Sequence, residues 1–113
     1  MAAYLIVRVT ITDPEKFGEY LKHSPRLVGK VGGRYLARGG EVTTLEGPEE
    51  TNRMVVLEFP SAEVAKDFYH SEEYGMVKAL REGAGDASFV VVDGLEDGAW
   101  EAIFEESNTH SLG

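Results

Sequence analysis

The stretch YLIVRVTITDPEKFGEY, residues 4–20, reads as a strand, a stop and the start of a helix. YLIVRVTI is dense in β-branched and aromatic residues, the composition of a strand. Alternate side chains of a strand share a face, so Leu5, Val7, Val9 and Ile11 form one wholly apolar side. Tyr4, Ile6, Arg8 and Thr10 form the other, which is mixed. Thr12-Asp13-Pro14-Glu15 then breaks the alternation. Asp13 suits a helix N-cap, Pro14 the first helical position and Glu15 the positive end of the helix dipole. Phe17, Tyr20, Leu21, Ser24, Leu27, Val28 and Val31 follow at helical spacing. Pro25 is expected to kink or split that helix, and Gly32-Gly33 to end it.

The same grammar recurs downstream. GGRYLARGG, residues 32–40, reads as a second strand on which Arg34, Leu36 and Arg38 share a face. EVTTLEG, residues 41–47, would continue it beyond a bulge at Gly39-Gly40. Residues 47–52 form a turn by composition. RMVVLEF, residues 53–59, is a third strand, with Val55, Leu57 and Phe59 on one face and Met54, Val56 and Glu58 on the other. Ser61 suits the N-cap of a second helical region with Val64, Ala65 and Phe68 as its apolar stripe. Ser71 reads as a further cap, so a break is expected near His70. Tyr74, Val77, Leu80 and Ala84 continue the spacing, and Gly83 and Gly85 end it. ASFVVVDG, residues 87–94, is the fourth strand. The order β-α-β-β-α-β, with right-handed crossovers, implies an α+β ferredoxin-like fold: a four-stranded antiparallel sheet with its helices on one face.

At 113 residues the chain is one domain by size, able to bury about two-thirds of its unfolded surface. It has no cysteine, hence no disulfide, thiolate ligand or cysteine nucleophile, which suits a reducing cytoplasm. MAAYLIVRVT lacks a basic segment ahead of a long apolar run and is read as neither a signal peptide nor a membrane span. The net charge of −9 disfavours nucleic acid and anionic membrane as partners. Much of that charge sits in an acidic tail, residues 95–113, beyond a domain spanning residues 1–94. Leu95, Ala99, Trp100, Ile103 and Phe104 line one face of a short amphipathic helix near residues 97–106, followed by a disordered end. So short a helix is marginal in water and must dock, on its own body or on a partner subunit.

Helices on one face leave the second face of the sheet open. It would present Tyr4, Ile6, Arg8, Leu36, Met54, Val56 and either Phe89 and Val91 or Val90 and Val92. Apolar patches of that extent mark contact sites. A homodimer packed face to face, with a cavity between the sheets, is the direct remedy.

The motifs YLIVRVTITDPEKFGEY, GGRYLARGGEVTTLEG, VVLEFPSAEVAKDFYHSEEY and KALREGA carry a resemblance over about residues 2–94. The combination RYLARGG, LEFPS and FYxSxEY resembles the bacterial domain-of-unknown-function family numbered 1330. That resemblance implies a dimeric α+β barrel of ferredoxin-like subunits. The superfamily also holds small monooxygenases, isomerases and dehalogenase-like proteins. No particular activity is implied, because one fold hosts many.

Strand parity places Arg8, Arg34, Arg38 and Glu58 on the open face. A guanidinium grips a carboxylate or phosphate with a planar fork of donors. With walls of Ile6, Leu36, Met54 and Val56, the face reads as a pocket for a small organic acid. The plainer reading pairs an arginine with Glu58, since buried charges are normally paired. If EVTTLEG pairs with the third strand, Arg38 lies beside Glu58; if a long loop follows Gly39, Arg38 falls nearer Met54 and Arg8. The β-like character of EVTTLEG favours the first register, which leaves Arg8 free. Glu58, the one acid of this face, and Tyr4, which shares the face of Arg8, are the candidate proton carriers. His23, His70 and His110 show no metal-ligand spacing, so a metal site is not expected. The glycine pairs match no phosphate loop or dinucleotide fingerprint.

Three functions follow. One is binding of a small anionic or phenolic metabolite, anchored by Arg8 and Arg38 against Leu36 and Met54, with catalysis by Glu58 and Tyr4 requiring no cofactor. Another is a structural or regulatory homodimer whose barrel is filled by its own side chains. The third is an interaction module built on the tail helix.

Overall fold

The computed structural model describes residues 1–110. Its strands are β1 (Ala3–Ile11), β2 (Arg34–Arg38), β3 (Arg53–Phe59) and β4 (Gly85–Asp93). Its helices are α1 (Pro14–Lys30), α2 (Ala62–His70), α3 (Glu72–Lys78) and α4 (Ala99–Ser107), with a single 3-10 turn at Ala79–Arg81. The sheet is antiparallel in the order β2-β3-β1-β4, the ferredoxin-like arrangement. No helix among the described residues is long and apolar enough to cross a membrane. The disordered end expected of the tail lies partly at residues 111–113, outside the described residues.

Local chemistry accounts for the helix boundaries. The Asp13 carboxylate accepts from the Lys16 amide at 3.1 Å and Pro14 opens α1. Ser61 caps α2 through the Val64 amide. Ser71 serves two helices: its hydroxyl donates to the Phe68 carbonyl at 2.7 Å, closing α2, and accepts from the Tyr74 amide at 3.1 Å, opening α3.

α1 runs unbroken through Pro25, against the expected split. A proline at that position has no N–H for the Leu21 carbonyl four residues earlier. The Arg38 guanidinium supplies the missing donor, with Nη2 2.8 Å from the Leu21 oxygen.

The core lies between the helices and one face of the sheet. Leu5, Val7, Val9, Val55, Leu57 and Phe59 are buried there against Phe17, Leu27, Val28, Phe68 and Tyr74. Phe59, Phe68 and Tyr74 form a run of rings with centroids 5.3 and 4.8 Å apart. On β4, Val91 and Phe89 stand opposite Leu5 and Val7, so they belong to the helix side, and Val90 and Val92 to the open face.

EVTTLEG is not a strand: β2 ends at Arg38 and residues 39–52 form a long exposed loop. The reason is the missing partner. The β2–β3 ladder uses β3 up to its first residues, so EVTTLEG could pair only with residues 48–52. Those are Pro-Glu-Glu-Thr-Asn, in which Thr51 alone favours a strand and Pro48 has no N–H. The bulge also moves. It falls at Leu36, between Tyr35 and Ala37, rather than at Gly39-Gly40.

Candidate functional site

The bulge reverses the parity of β2. Arg34 pairs with Glu58 on the open face, while Arg38 aligns with Val55, whose side chain is in the helix-side core. The two arginines therefore do not share a face. Glu58 receives the Arg34 Nε at 2.9 Å, so the expected Arg38–Glu58 bridge is replaced by Arg34–Glu58. Arg38 instead spends a donor on Leu21 and lies with its guanidinium 5.0 Å from the Tyr35 ring centre. Leu36, the bulge residue, is 47% exposed. Met54 stays on the open face opposite Arg8.

Arg8 is not free either. Its Nη2 donates to Glu50 at 2.9 Å and its Nε to the other carboxylate oxygen, a two-bond fork. Hydrogen bonding and charge from Arg8 hold the Glu50 carboxyl below the usual carboxylate range. Asn52 touches Thr10 beside it, so the end of the loop is fastened across the edge of the open face. Tyr4 aligns with Glu58 across β1 and β3. On this face, then, both arginines carry a carboxylate and neither waits for an anion.

On the other side of the sheet the chain has a small apolar cavity of its own. A cavity of about 40 Å³ lies between α1 and the sheet, walled by apolar residues such as Phe17, Val9, Val55 and Leu57. Its polar contributions come from Tyr20, Ser24, Tyr35 and Arg53. Arg53 aligns with Val9, which puts it on the helix side. Its Nε is buried with no hydrogen-bond partner among the described residues, and no carboxylate pairs with its charge. Gly39, in the left-handed region at φ +67°, lies against this guanidinium, where any side chain would collide. Ser24 and Tyr35 hydroxyls approach to 3.4 Å nearby.

A buried phenol pair lies beside the cavity, with Tyr20 lining it and Tyr74 behind. The Tyr20 and Tyr74 hydroxyls are 2.7 Å apart, and Arg81 Nη2 donates to Tyr74 at 3.4 Å. Burial, then the Tyr74 neighbour, push the Tyr20 phenol well above its usual pKa. Burial works against the Arg81 charge, yet hydrogen bonding and charge from the two tyrosines outweigh it and raise its pKa. One Tyr–Tyr bond uses one of two hydroxyl hydrogens. The other has no acceptor among the described residues, so the pair keeps a donor in reserve.

Comparison with known proteins places the chain. The model of the family described as Domain of unknown function (DUF1330) matches residues 2–95. The chain belongs to the DUF1330 family. No curated protein matches it. Among solved structures, the RPA0582 protein of unknown function from Rhodopseudomonas palustris is similar at a TM-score of 0.68 and 18% identity, over 84% of this chain and 83% of that one. SnoaB, a cofactor-independent oxygenase from Streptomyces nogalater, is similar at 0.57 and 8% identity, over 87% and 97%. A dimeric protein of unknown function with a ferredoxin-like fold from Bacteroides fragilis is similar at 0.52 and 18% identity, over 82% and 96%. At these identities the likeness shows the fold of this DUF1330 chain and no residue roles.

Parity had the information to find Arg53 in this DUF1330 sequence. It is two residues before Val55 and so shares the core face, where an unpaired charge is anomalous. The Tyr20–Tyr74 pair had no such signal, since 54 residues separate its members.

Proposed function

We propose that this DUF1330 protein binds a small organic acid in the cavity between helices and sheet, its carboxylate on Arg53. One observation carries the reading: a guanidinium with a buried, unpartnered Nε forms part of the wall of an otherwise apolar cavity. Leaving such a donor unmet costs about 1–3 kcal/mol, which a bound carboxylate would recover. The small volume suits a guest of a few heavy atoms; a phenol would have to displace a lining side chain. Tyr20, the member of the phenol pair that lines the cavity, is the candidate donor to a second ligand oxygen. Catalysis without a cofactor, the activity named for SnoaB, is a further step of this reading. Its proton carriers would be Glu58 and Tyr4, between two copies; the Tyr20 phenol, held above its usual pKa, keeps its proton and serves as a hydrogen-bond donor.

The protein acts, on this reading, as a homodimer joined through the open face. The paired state of Arg8 and Arg34 favours an interface filled by side chains there, rather than a second anion pocket with Arg8 and Arg38 as its anchors.

Thermal unfolding in acetate, propionate, butyrate, benzoate and phenol tests the binding reading. A carboxylate at a hundred times its dissociation constant adds about 2.7 kcal/mol. That raises the midpoint by on the order of 10 °C in a domain of this size. The rise is expected to vanish in Arg53→Met and persist in Arg8→Met. The reverse pattern would move the site to the open face, and no rise with any probe would refute binding of this class.

A further inference from the structure

α4 packs on no other helix or strand among the described residues. None of its residues is buried, and Trp100, Ile103 and Phe104 are 58%, 48% and 54% exposed. They form one apolar stripe, with the Trp100 and Phe104 rings 5.8 Å apart. Nothing local sustains the helix. It is nine residues long, shorter than the roughly 12–15 an isolated helix needs. Gly98 at its start offers no capping side chain, and Glu105 and Glu106 crowd the end where the dipole is already negative. Such a helix is held by whatever its stripe packs on.

The body of the chain carries a surface of matching chemistry. A cleft of about 400 Å³ opens on the helix side of β4, bounded by α2, the end of α3 and the 3-10 turn. Phe89 and Val91 contribute to its floor, and Lys66, His70, Lys78 and Arg81 to its rim. No carboxylate lines it, which is unusual in a chain of net charge −9. Lys66 has only a 4.0 Å approach to Glu63, and Lys78 donates to the neutral Tyr69 hydroxyl. The helix offers apolar rings flanked by Glu101 and Glu106; the cleft offers an apolar floor flanked by cations.

We propose that α4 of one copy docks in this cleft of a second copy. Trp100 and Phe104 meet Phe89 and Val91, and the glutamates meet Lys66 and Lys78. The second copy is favoured over the same chain because α4 stands clear of its own body. The radius of gyration is 17.1 Å, against about 13 Å for a compact chain of this length. Exchange of tails across a two-fold axis satisfies both copies at once. The proposal rests on the homodimer reading, and the test separates the two.

Trp100 is the sole tryptophan, so its emission reports this helix alone. The full chain is expected to sediment as a dimer with blue-shifted emission. The double variant Lys66→Glu/Lys78→Glu is expected to stay dimeric and emit as exposed tryptophan. Mixed dimers decide the direction: the double variant is co-expressed with a Trp100→Phe chain whose cleft is intact, and the pair is purified through distinct tags. Recovery of the blue shift establishes docking across copies. No recovery assigns the helix to its own cleft and overturns the proposal. A wild-type dimer with exposed emission overturns it while leaving the dimer, as does a blue shift that survives charge reversal. A monomer at tens of micromolar overturns both.

Discussion

At the scale of single residues, Arg38 and Pro25 explain each other. Proline removes one backbone donor from the interior of α1, and a side chain on β2 replaces it. Arg38→Ala is expected to cost about 1 kcal/mol in urea unfolding, with an unchanged m-value. In a Pro25→Ala background, where the helix regains its own donor, the cost of Arg38→Ala should shrink by at least about 0.5 kcal/mol. Equal costs in both backgrounds would dissolve the link. Arg53 presents the opposite case, a donor with nothing to serve, and for that reason it anchors the proposed ligand. The apolar faces of β1 and β3, the caps at Asp13, Ser61 and Ser71, and the break after His70 were all legible from spacing and residue type. The partners of the arginines were not. Parity assigns a face only while the strand stays regular, and one extra residue at Leu36 turned Arg38 to the helix side; the ladder register, which parity does not fix, set Arg34 opposite Glu58.

At the scale of elements, the loop of residues 39–52 is the least expected feature. Most of it is exposed, Leu45 to 93%, and it is fastened at its far end by Glu50 on Arg8 and by Asn52 on Thr10. The Glu50 amide also donates to Thr44, which closes the loop on itself. The Arg8 bond lowers the folded-state pKa of Glu50, so the fastening is present above the usual carboxylate pKa. It is lost as pH falls through the lowered value. Hydrogen exchange of amides in residues 44–52 should therefore speed up, relative to the rest of the sheet, as the solution is acidified below pH about 4.5. Glu50→Gln should show the faster exchange already at neutral pH. Protection that ignores both acid and the substitution would mean the ion pair does not hold the loop.

At the scale of the whole molecule, the open face carries Ile6, Met54, Val56, Val90 and Val92 in one contiguous strip, bordered by Arg8–Glu50 and Arg34–Glu58. An apolar centre with a charged, internally paired rim is the anatomy of a protein–protein contact. Val56→Asp, at the middle of that strip, is expected to convert a sedimenting dimer to a monomer. The circular dichroism of the fold should be kept, because the side chain points away from the core. A dimer that survives this change would have to use another surface.

Sequence alone determined the succession of strands and helices, the ferredoxin-like order and the apolar identity of each sheet face. These depend on side-chain periodicity and on caps, which act over a few neighbouring residues. Tertiary structure decided which arginine meets which acid, where β2 ends, and that Arg38 and Arg53 lie on the helix side of the sheet. Those outcomes depend on ladder register and on contacts between residues far apart in the chain. There, the absence of a β-forming partner for EVTTLEG outweighed its own local preference.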